Sequence, residues 1–298
     1  MPLPKLIAFD VDGTVFASPT KQFMTPRVVA AFEAAHDAGC TIAVASGRPF
    51  AMLGEQLSRA PWLDWAINCN GARIRPLRGG EPGHAFPIPR DVYFPLIDAI
   101  WDEGGTMTLL TSGGPFIERR RLARFDIVKD ALRTGKIGTR DLEEFQAEHA
   151  PGNPIDELVS TYNMEPIDYA PDLLADNPGL ELDKIDCDVP TADAGDALMA
   201  RMEEIGGLEI ARLTQKDFEV TSERASKGNA VGWLCRHLGI PESEAVAFGD
   251  SGNDLSMAGR GIAFVAMGNA TDEVKAVADD QCDTVANDGV GRWIEERL

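Results

Sequence analysis

Residues 5–14 read Lys5-Leu6-Ile7-Ala8-Phe9-Asp10-Val11-Asp12-Gly13-Thr14. The run Lys5–Phe9 is short and apolar, as a strand buried on both faces of a parallel sheet would be. It ends on two aspartates with a glycine behind them. Working outward, Thr25-Pro26 offers a helix N-cap followed by proline at the first helical position. Val28, Val29, Phe32 and Ala35 keep helical spacing, and Gly39 suits the stop. A second buried strand, Thr41–Ala45, runs into Ser46-Gly47-Arg48. A helix is expected over 50–58, and a third strand, Trp65–Cys69, ends in Asn70-Gly71. Strands alternating with helices in this way predict βαβ units and a parallel sheet.

The C-terminal third repeats the rhythm. Lys227–Leu238 reads as a helix closed by Gly239. Ala245–Phe248 is a strand that enters Gly249-Asp250-Ser251-Gly252-Asn253-Asp254. Ile262–Val265 is a further strand, Asp272–Ala278 a short helix, Thr284-Val285 a short edge strand, and Val290–Arg297 a closing helix. Between the two thirds the turn signals are denser: Gly104-Gly105, Gly113-Gly114-Pro115, Pro151-Gly152 and Asn177-Pro178-Gly179. Strands such as Met107–Thr111 and helices such as Ala192–Glu204 occur there without a βαβ rhythm. The expected architecture is therefore α/β: a Rossmann-like, doubly wound parallel sheet formed by 1–86 and 216–298, with an α+β domain inserted over 87–215.

Composition narrows the function. The 298 residues carry 28 Lys+Arg and 48 Asp+Glu, a formal net charge of −20. That charge repels nucleic acid and anionic membrane surfaces, so neither is an expected partner. An anionic small molecule stays possible, because a bound cation reverses the sign locally. The longest apolar stretches, such as Gly261–Met267, fall far short of a membrane span of roughly 20 residues. Met1–Phe9 lacks the apolar length of a signal peptide. Five dispersed cysteines without a CxxC fit reduced thiols and a cytoplasmic protein. The sequon at Asn269 is then a chance match. Oligomeric state is not legible; a monomer or homodimer is expected.

Four polar groups sit at the ends of apolar strands: Asp10 with Asp12, Ser46, Asn70, and Asp250 with Asn253 and Asp254. Open α/β sheets bind ligands there. Three of the groups converge if the first, second and fourth core strands are neighbours. Carboxylates from two distant turns repel one another unless a cation neutralises them. An all-oxygen donor set without His or Cys selects Mg²⁺ over Zn²⁺. A carboxylate beside such an ion can attack phosphorus and form an aspartyl-phosphate. A second carboxylate two residues on can serve as general acid and base.

Asp10-Val11-Asp12-Gly13-Thr14, Ser46-Gly47-Arg48, Ser226-Lys227-Gly228 and Gly249-Asp250-Ser251-Gly252-Asn253-Asp254 resemble, in order and spacing, the four motifs of the haloacid dehalogenase-like superfamily. An insert between the second and third motifs is similar to the Cof-type branch with a type IIB cap. The resemblance implies a Mg²⁺-dependent phosphatase acting on a small phosphorylated metabolite, such as a sugar phosphate. It implies Asp10 as nucleophile and metal ligand. Asp12 would be the acid/base, offering its backbone carbonyl to the metal. Ser46 and the Gly47 amide would bind the phosphoryl group, and Lys227 would neutralise charge. Asp250 would ligate the metal, with Asn253 and Asp254 completing or orienting the shell. Arg48, Asn70 and Gly71 are expected at the substrate. A phosphomutase, or a catalytically silent module on the same fold, are the alternatives. Ser46 could also cap the helix near Pro49, and Asn70 could simply suit a turn with positive φ. In the insert, Arg119, Arg120, Arg121 and Arg124 form a basic cluster that reads as a solvated face balanced by local acids.

Overall fold

The computed structural model describes residues 2–17, 23–80, 82–123 and 164–298. The chain divides into two compact units, Met1–Phe86 with Arg224–Leu298, and Pro87–Glu223.

The first unit opens with β1 (Leu6–Phe9), α1 (Pro26–Asp37) and β2 (Thr41–Ala45). A 3₁₀ turn at Phe50–Met52 and α2 (Glu55–Ser58) follow, then β3 (Trp65–Asn68), β4 (Arg73–Pro76) and β5 (His84–Ala85). The single helix expected over 50–58 is thus two short pieces. Gly54, at φ 78°, breaks the helical path between them. α1 starts as its sequence predicts, with the Thr25 hydroxyl accepting from Val28 N.

The second unit holds α3 (Arg90–Asp102), β6 (Thr106–Thr111), β7 (Gly114–Glu118), β8 (Glu165–Ile167) and α4 (Ala170–Asp176). It ends with β9 (Leu182–Asp188), α5 (Ala192–Ile205), β10 (Leu208–Arg212) and β11 (Asp217–Ser222). Its six-stranded sheet has the order β10-β11-β9-β6-β7-β8 and is antiparallel except between β7 and β8. Val220, Ile185, Met107 and Leu109 join Leu96, Ile100 and Leu198 of the helices in a separate apolar core. The expected boundary at 215/216 needs correction. β11 pairs with both β10 and β9, so its ladder hydrogen bonds hold 217–222 in the second unit. The alternation Phe218, Val220 inward and Asp217, Glu219 outward is that of a half-buried strand. Of the basic cluster, Arg119 pairs with Asp168, Arg120 lies on the Trp101 ring, and Arg121 donates to the Asp186 carbonyl. Arg124 lies outside the described residues.

The chain returns to the first unit with α6 (Lys227–Leu238), β12 (Ala245–Gly249), β13 (Ala263–Ala266), α7 (Asp272–Val277), β14 (Asp280–Gln281) and α8 (Gly289–Glu295). The edge strand is β14; Thr284-Val285 instead leads into a 3₁₀ turn at Val285–Asn287. The sheet order is β14-β13-β12-β1-β2-β3-β4-β5, parallel from β14 to β3 and antiparallel beyond.

Register and the two-residue period of side chains settle which helix covers which face. Phe9, Val44 and Ala66 are aligned across β1, β2 and β3, and Phe248 pairs with Phe9. Phe9 packs on Phe32 of α1, and Phe248 on Trp293 of α8. Ala8, Ala43 and Trp65 point the other way, and Trp65 meets Trp233 and His237 of α6. Helices therefore cover both faces, as a doubly wound sheet requires. β1 lies between β2 and β12, so the early strands β2 and β3 build out on one side of it and the late strands β12, β13 and β14 on the other. The carboxyl ends of β3, β2, β1 and β12 lie in adjacent positions around that switch point.

Candidate active site

Asp10 follows the last residue of β1 and keeps its backbone in the sheet, donating N–H to the Phe248 carbonyl at 3.0 Å. Its side chain is 7% exposed. Lys227, the first residue of α6, is fully buried and reaches Asp10 Oδ1 at 2.5 Å. The same ammonium donates to Asp254 Oδ1 at 2.7 Å and to Asn253 Oδ1 at 3.3 Å. Ser226 caps α6 through Asn229 N, which fixes where Lys227 leaves the helix. Asp254 Oδ2 accepts from Asp250 N at 2.9 Å and Ser251 N at 3.1 Å. Asp254 therefore ties the β12 loop to the lysine with both oxygens.

Asp10, Asp250 and Asp254 each place one carboxylate oxygen within 4.8 Å of the others. One ammonium does not balance three carboxylates. Burial pushes the Asp10 carboxyl well above the ordinary range, with Lys227 opposing and the Asp254 and Asp250 charges adding to the rise. Burial and Asp254 push Asp250 up to about 6. For Lys227 burial works against the charge, yet the attraction of Asp10 and Asp254 wins and its pKa rises. Three crowded oxygen donors with excess negative charge, two of them reluctant to ionise alone, fit a hard divalent cation. Gly13, at φ 83°, makes the crowding possible: a Cβ there would overlap the Asp250 carboxylate.

Asp12 stands on the next turn with its carboxylate 35% exposed. Arg48 grips both its oxygens, Nε to Oδ2 at 2.7 Å and Nη2 to Oδ1 at 2.6 Å. Ser46 is 1% exposed and its hydroxyl accepts from Arg48 N at 3.2 Å. It caps no helix, because the 3₁₀ turn begins after Pro49 without a side-chain cap. Asn70 has φ 55°, and its Oδ1 also accepts from Asn253 Nδ2 at 3.1 Å. Gly47 lies against Asn70, where a Cβ would come within 2.8 Å of Oδ1. Gly71 touches the backbone of Ser226, beside Lys227.

The motif residues from all four strand ends thus gather in the first unit. Two further side chains, for which the sequence suggested no role at the site, brace it. Thr14 donates its hydroxyl to Asp250 Oδ1 at 3.3 Å. Asn269 donates to the Gly13 carbonyl at 2.8 Å and accepts from Val285 N at 2.8 Å, bracing the aspartate turn from the loop after β13. That loop also lies at the carboxyl end of a strand, so the rule that found Asp250 could have found Asn269. The sequon reading concealed it.

With this geometry in place, the comparisons agree. The aspartates at the end of β1, the buried lysine and the acidic loop after β12 lie together on an α/β fold. Residues 7–294 match the haloacid dehalogenase-like hydrolases, and the chain belongs to that family. It is therefore an enzyme, and the expectation of a phosphoric monoester hydrolase agrees with the phosphatase names its relatives carry. One relative is the phosphatase YwpJ of Bacillus subtilis, 28% identical over 99% of this chain and all of its own length. Two solved structures share the fold. A haloacid dehalogenase-like hydrolase from B. subtilis has TM-score 0.73, 24% identity, and coverage of 99% of this chain and 100% of its own. A subclass IIB sugar phosphatase has TM-score 0.71 and 21% identity, with 98% of each chain covered. Among the described residues no helix is long and apolar enough to cross a membrane.

Proposed function

We propose that the protein hydrolyses a small phosphorylated metabolite, a sugar phosphate or similar phosphomonoester, through an aspartyl-phosphate on Asp10. The observation that carries this reading is the buried Asp10 carboxylate held by Lys227 at 2.5 Å, with Asp12 on the same turn. Asp10 attacks phosphorus and the bond to the leaving oxygen breaks. Protonated Asp12 gives its proton to that oxygen, and the alcohol departs. Water then attacks phosphorus; Asp12 takes its proton, the bond to Asp10 breaks, and phosphate leaves. Lys227 offsets the charge that collects on Asp10 and the phosphoryl oxygens. Ser46, the Gly47 amide, Asn70 and Gly71 are assigned to the phosphoryl side of the substrate. Mg²⁺ is the assigned cofactor; Asp10, Asp250 and the Asp12 carbonyl would hold it, with Asn253 and Asp254 orienting the set. When bound it would supply positive charge toward the phosphoryl oxygens.

Recognition of the leaving group is assigned to the unit Pro87–Glu223, because every motif residue lies in the other unit. The sugar-phosphate class is supported by the name of the subclass IIB relative in fold. A cytoplasmic location is supported by five free cysteines. The test is a panel of phosphorylated metabolites with Mg²⁺ or with a chelator. Phosphate release that needs Mg²⁺, with a preference among sugar phosphates, is the expected result. An isomerised product without free phosphate would make it a mutase, and no turnover of any substrate, aryl phosphates included, a silent module.

The acidic cluster also sets a pH dependence. A raised carboxyl pKa means the folded chain holds the proton more tightly than the unfolded one. In the metal-free protein this favours the folded state at low pH, and the benefit is lost as pH rises through about 6 for Asp250. A dication needs the same group ionised, so binding releases protons. Between pH 5 and pH 8 the Mg²⁺ Kd, read by titration calorimetry, should fall by at least about tenfold, the share of Asp250 alone, with the raised Asp10 carboxyl adding to it. A Kd constant across that window removes Asp250 from the ligands.

A further inference from the structure

We propose that Arg48 is a positioning residue for Asp12 that acts in the hydrolysis of the aspartyl-phosphate, and is not a phosphate-binding residue. The proposal rests on the phosphatase reading above and deepens it.

The position of Arg48 beside Ser46 and Gly47, a strand end from Asp10, led to its expectation at the substrate, where an arginine would meet the phosphate. Its contacts say otherwise. The guanidinium fork is spent on Asp12, with Nε and Nη2 on the two carboxylate oxygens. The remaining nitrogen, Nη1, donates to the Met52 carbonyl at 2.9 Å. The backbone is held equally firmly. Arg48 N donates to the Ser46 hydroxyl, and its carbonyl accepts from Asn68 Nδ2 at 3.1 Å and Cys69 N at 3.2 Å. The guanidinium lies 5.9 Å from the Phe16 ring, which the same turn supplies, and the side chain is only 14% exposed. An arginine fixed at both ends in this way is a strut between the β2 loop and the β1 loop.

A planar fork matches a carboxylate that carries its charge. Each oxygen gives one lone pair to Arg48 and keeps another. Asp12 carries its charge in one half of the cycle: after the alcohol has left with a proton, when it must accept a proton from the attacking water. In the other half a carboxyl O–H competes with the guanidinium N–H groups for the same side of the group. The strut therefore favours the second half. A base held at one orientation loses little on reaching the transition state, whereas a misplacement near 1 Å costs about 10²-fold.

The experiment uses the full chain with Mg²⁺ and an aryl phosphate, whose phenolate departs without a proton. For that substrate kcat/KM reports phosphorylation of Asp10, and kcat reports its hydrolysis when that step is slow. Arg48→Gln should lower kcat by about 10²-fold. KM should fall in parallel and kcat/KM stay within about threefold. Rapid quench and mass spectrometry should find the variant accumulating one alkali-labile phosphoryl group per chain. Arg48→Lys, which keeps charge but lacks the fork, should fall between the two. In an Asp12→Asn background, Arg48→Gln should add little, because the base it positions is gone. A loss of packing alone would lower melting temperature without trapping the phospho-enzyme. A raised KM with reduced kcat/KM and no accumulation would overturn the proposal and return Arg48 to the substrate phosphate; unchanged kinetics would overturn it too. If neither protein forms a phosphoryl-enzyme and Asp10→Asn keeps its activity, the aspartyl-phosphate reading itself falls, and this proposal with it.

Discussion

Asp10→Asn should abolish turnover, with a loss on the order of 10⁵–10⁶-fold, the scale on which removing a covalent nucleophile acts. An amide oxygen is a poor nucleophile at phosphorus and a weaker ligand for a cation. The fold should tolerate the change. Asn has the same shape, its oxygen can still accept from Lys227, and the ammonium keeps Asp254 at 2.7 Å. Burial also makes ionised Asp10 costly to the folded state. The metal-free variant should therefore melt no lower than the parent at pH 8, while the parent alone gains a phosphoryl group from substrate. Phosphate release and intact mass after quenching decide it. Near-normal kcat in Asp10→Asn would mean that the nucleophile is another residue.

Asp12→Ala should reduce kcat by roughly 10²–10⁴-fold on a sugar phosphate, whose alkoxide is a poor leaving group without a proton. With an aryl phosphate the phosphorylation step should lose much less, because phenolate needs no acid. Hydrolysis of the phospho-enzyme should stay slow for both. Alanine also strips Arg48 of its partner, which mixes lost chemistry with lost anchoring. Asp12→Asn separates them: it keeps an acceptor for the guanidinium but cannot relay a proton. Comparable losses in the two variants identify proton transfer as the cause. Activity in Asp12→Asn close to the parent would assign Asp12 to holding Arg48 and nothing more.

The acid set was open to a reader of the sequence because each member follows an apolar strand, and loops at carboxyl strand ends carry ligands. Asn70 illustrates a choice the sequence left open, between a turn residue and a substrate contact. It has the positive φ of the first and is also bonded to Asn253, so the turn aims the side chain into the site. The β11 strand shows where the reading failed. Asp217–Ser222 alternates as any half-buried strand would, and nothing local states which of two sheets it joins. Hydrogen bonds to 182–188 and 208–212 state it. Likewise the helix expected across 50–58 ignored Gly54, whose positive φ is decided by the path the chain must take to β3.

By itself, then, the sequence determined the βαβ rhythm, the insert and the polar strand ends that four motifs supply, because short apolar runs, caps and acid spacing act over a few residues. Strand order was not local. Only the tertiary structure put β1 between β2 and β12, which brings Asp10 and Asp250 together from turns 240 positions apart. It also decided the partners of the charges. Arg48 faces Asp12, Asp254 faces Lys227, and Asn269 holds the Gly13 carbonyl. In each case the partner is fixed by which loops a twisted parallel sheet sets side by side, and a buried charge or carbonyl must then find its complement among them.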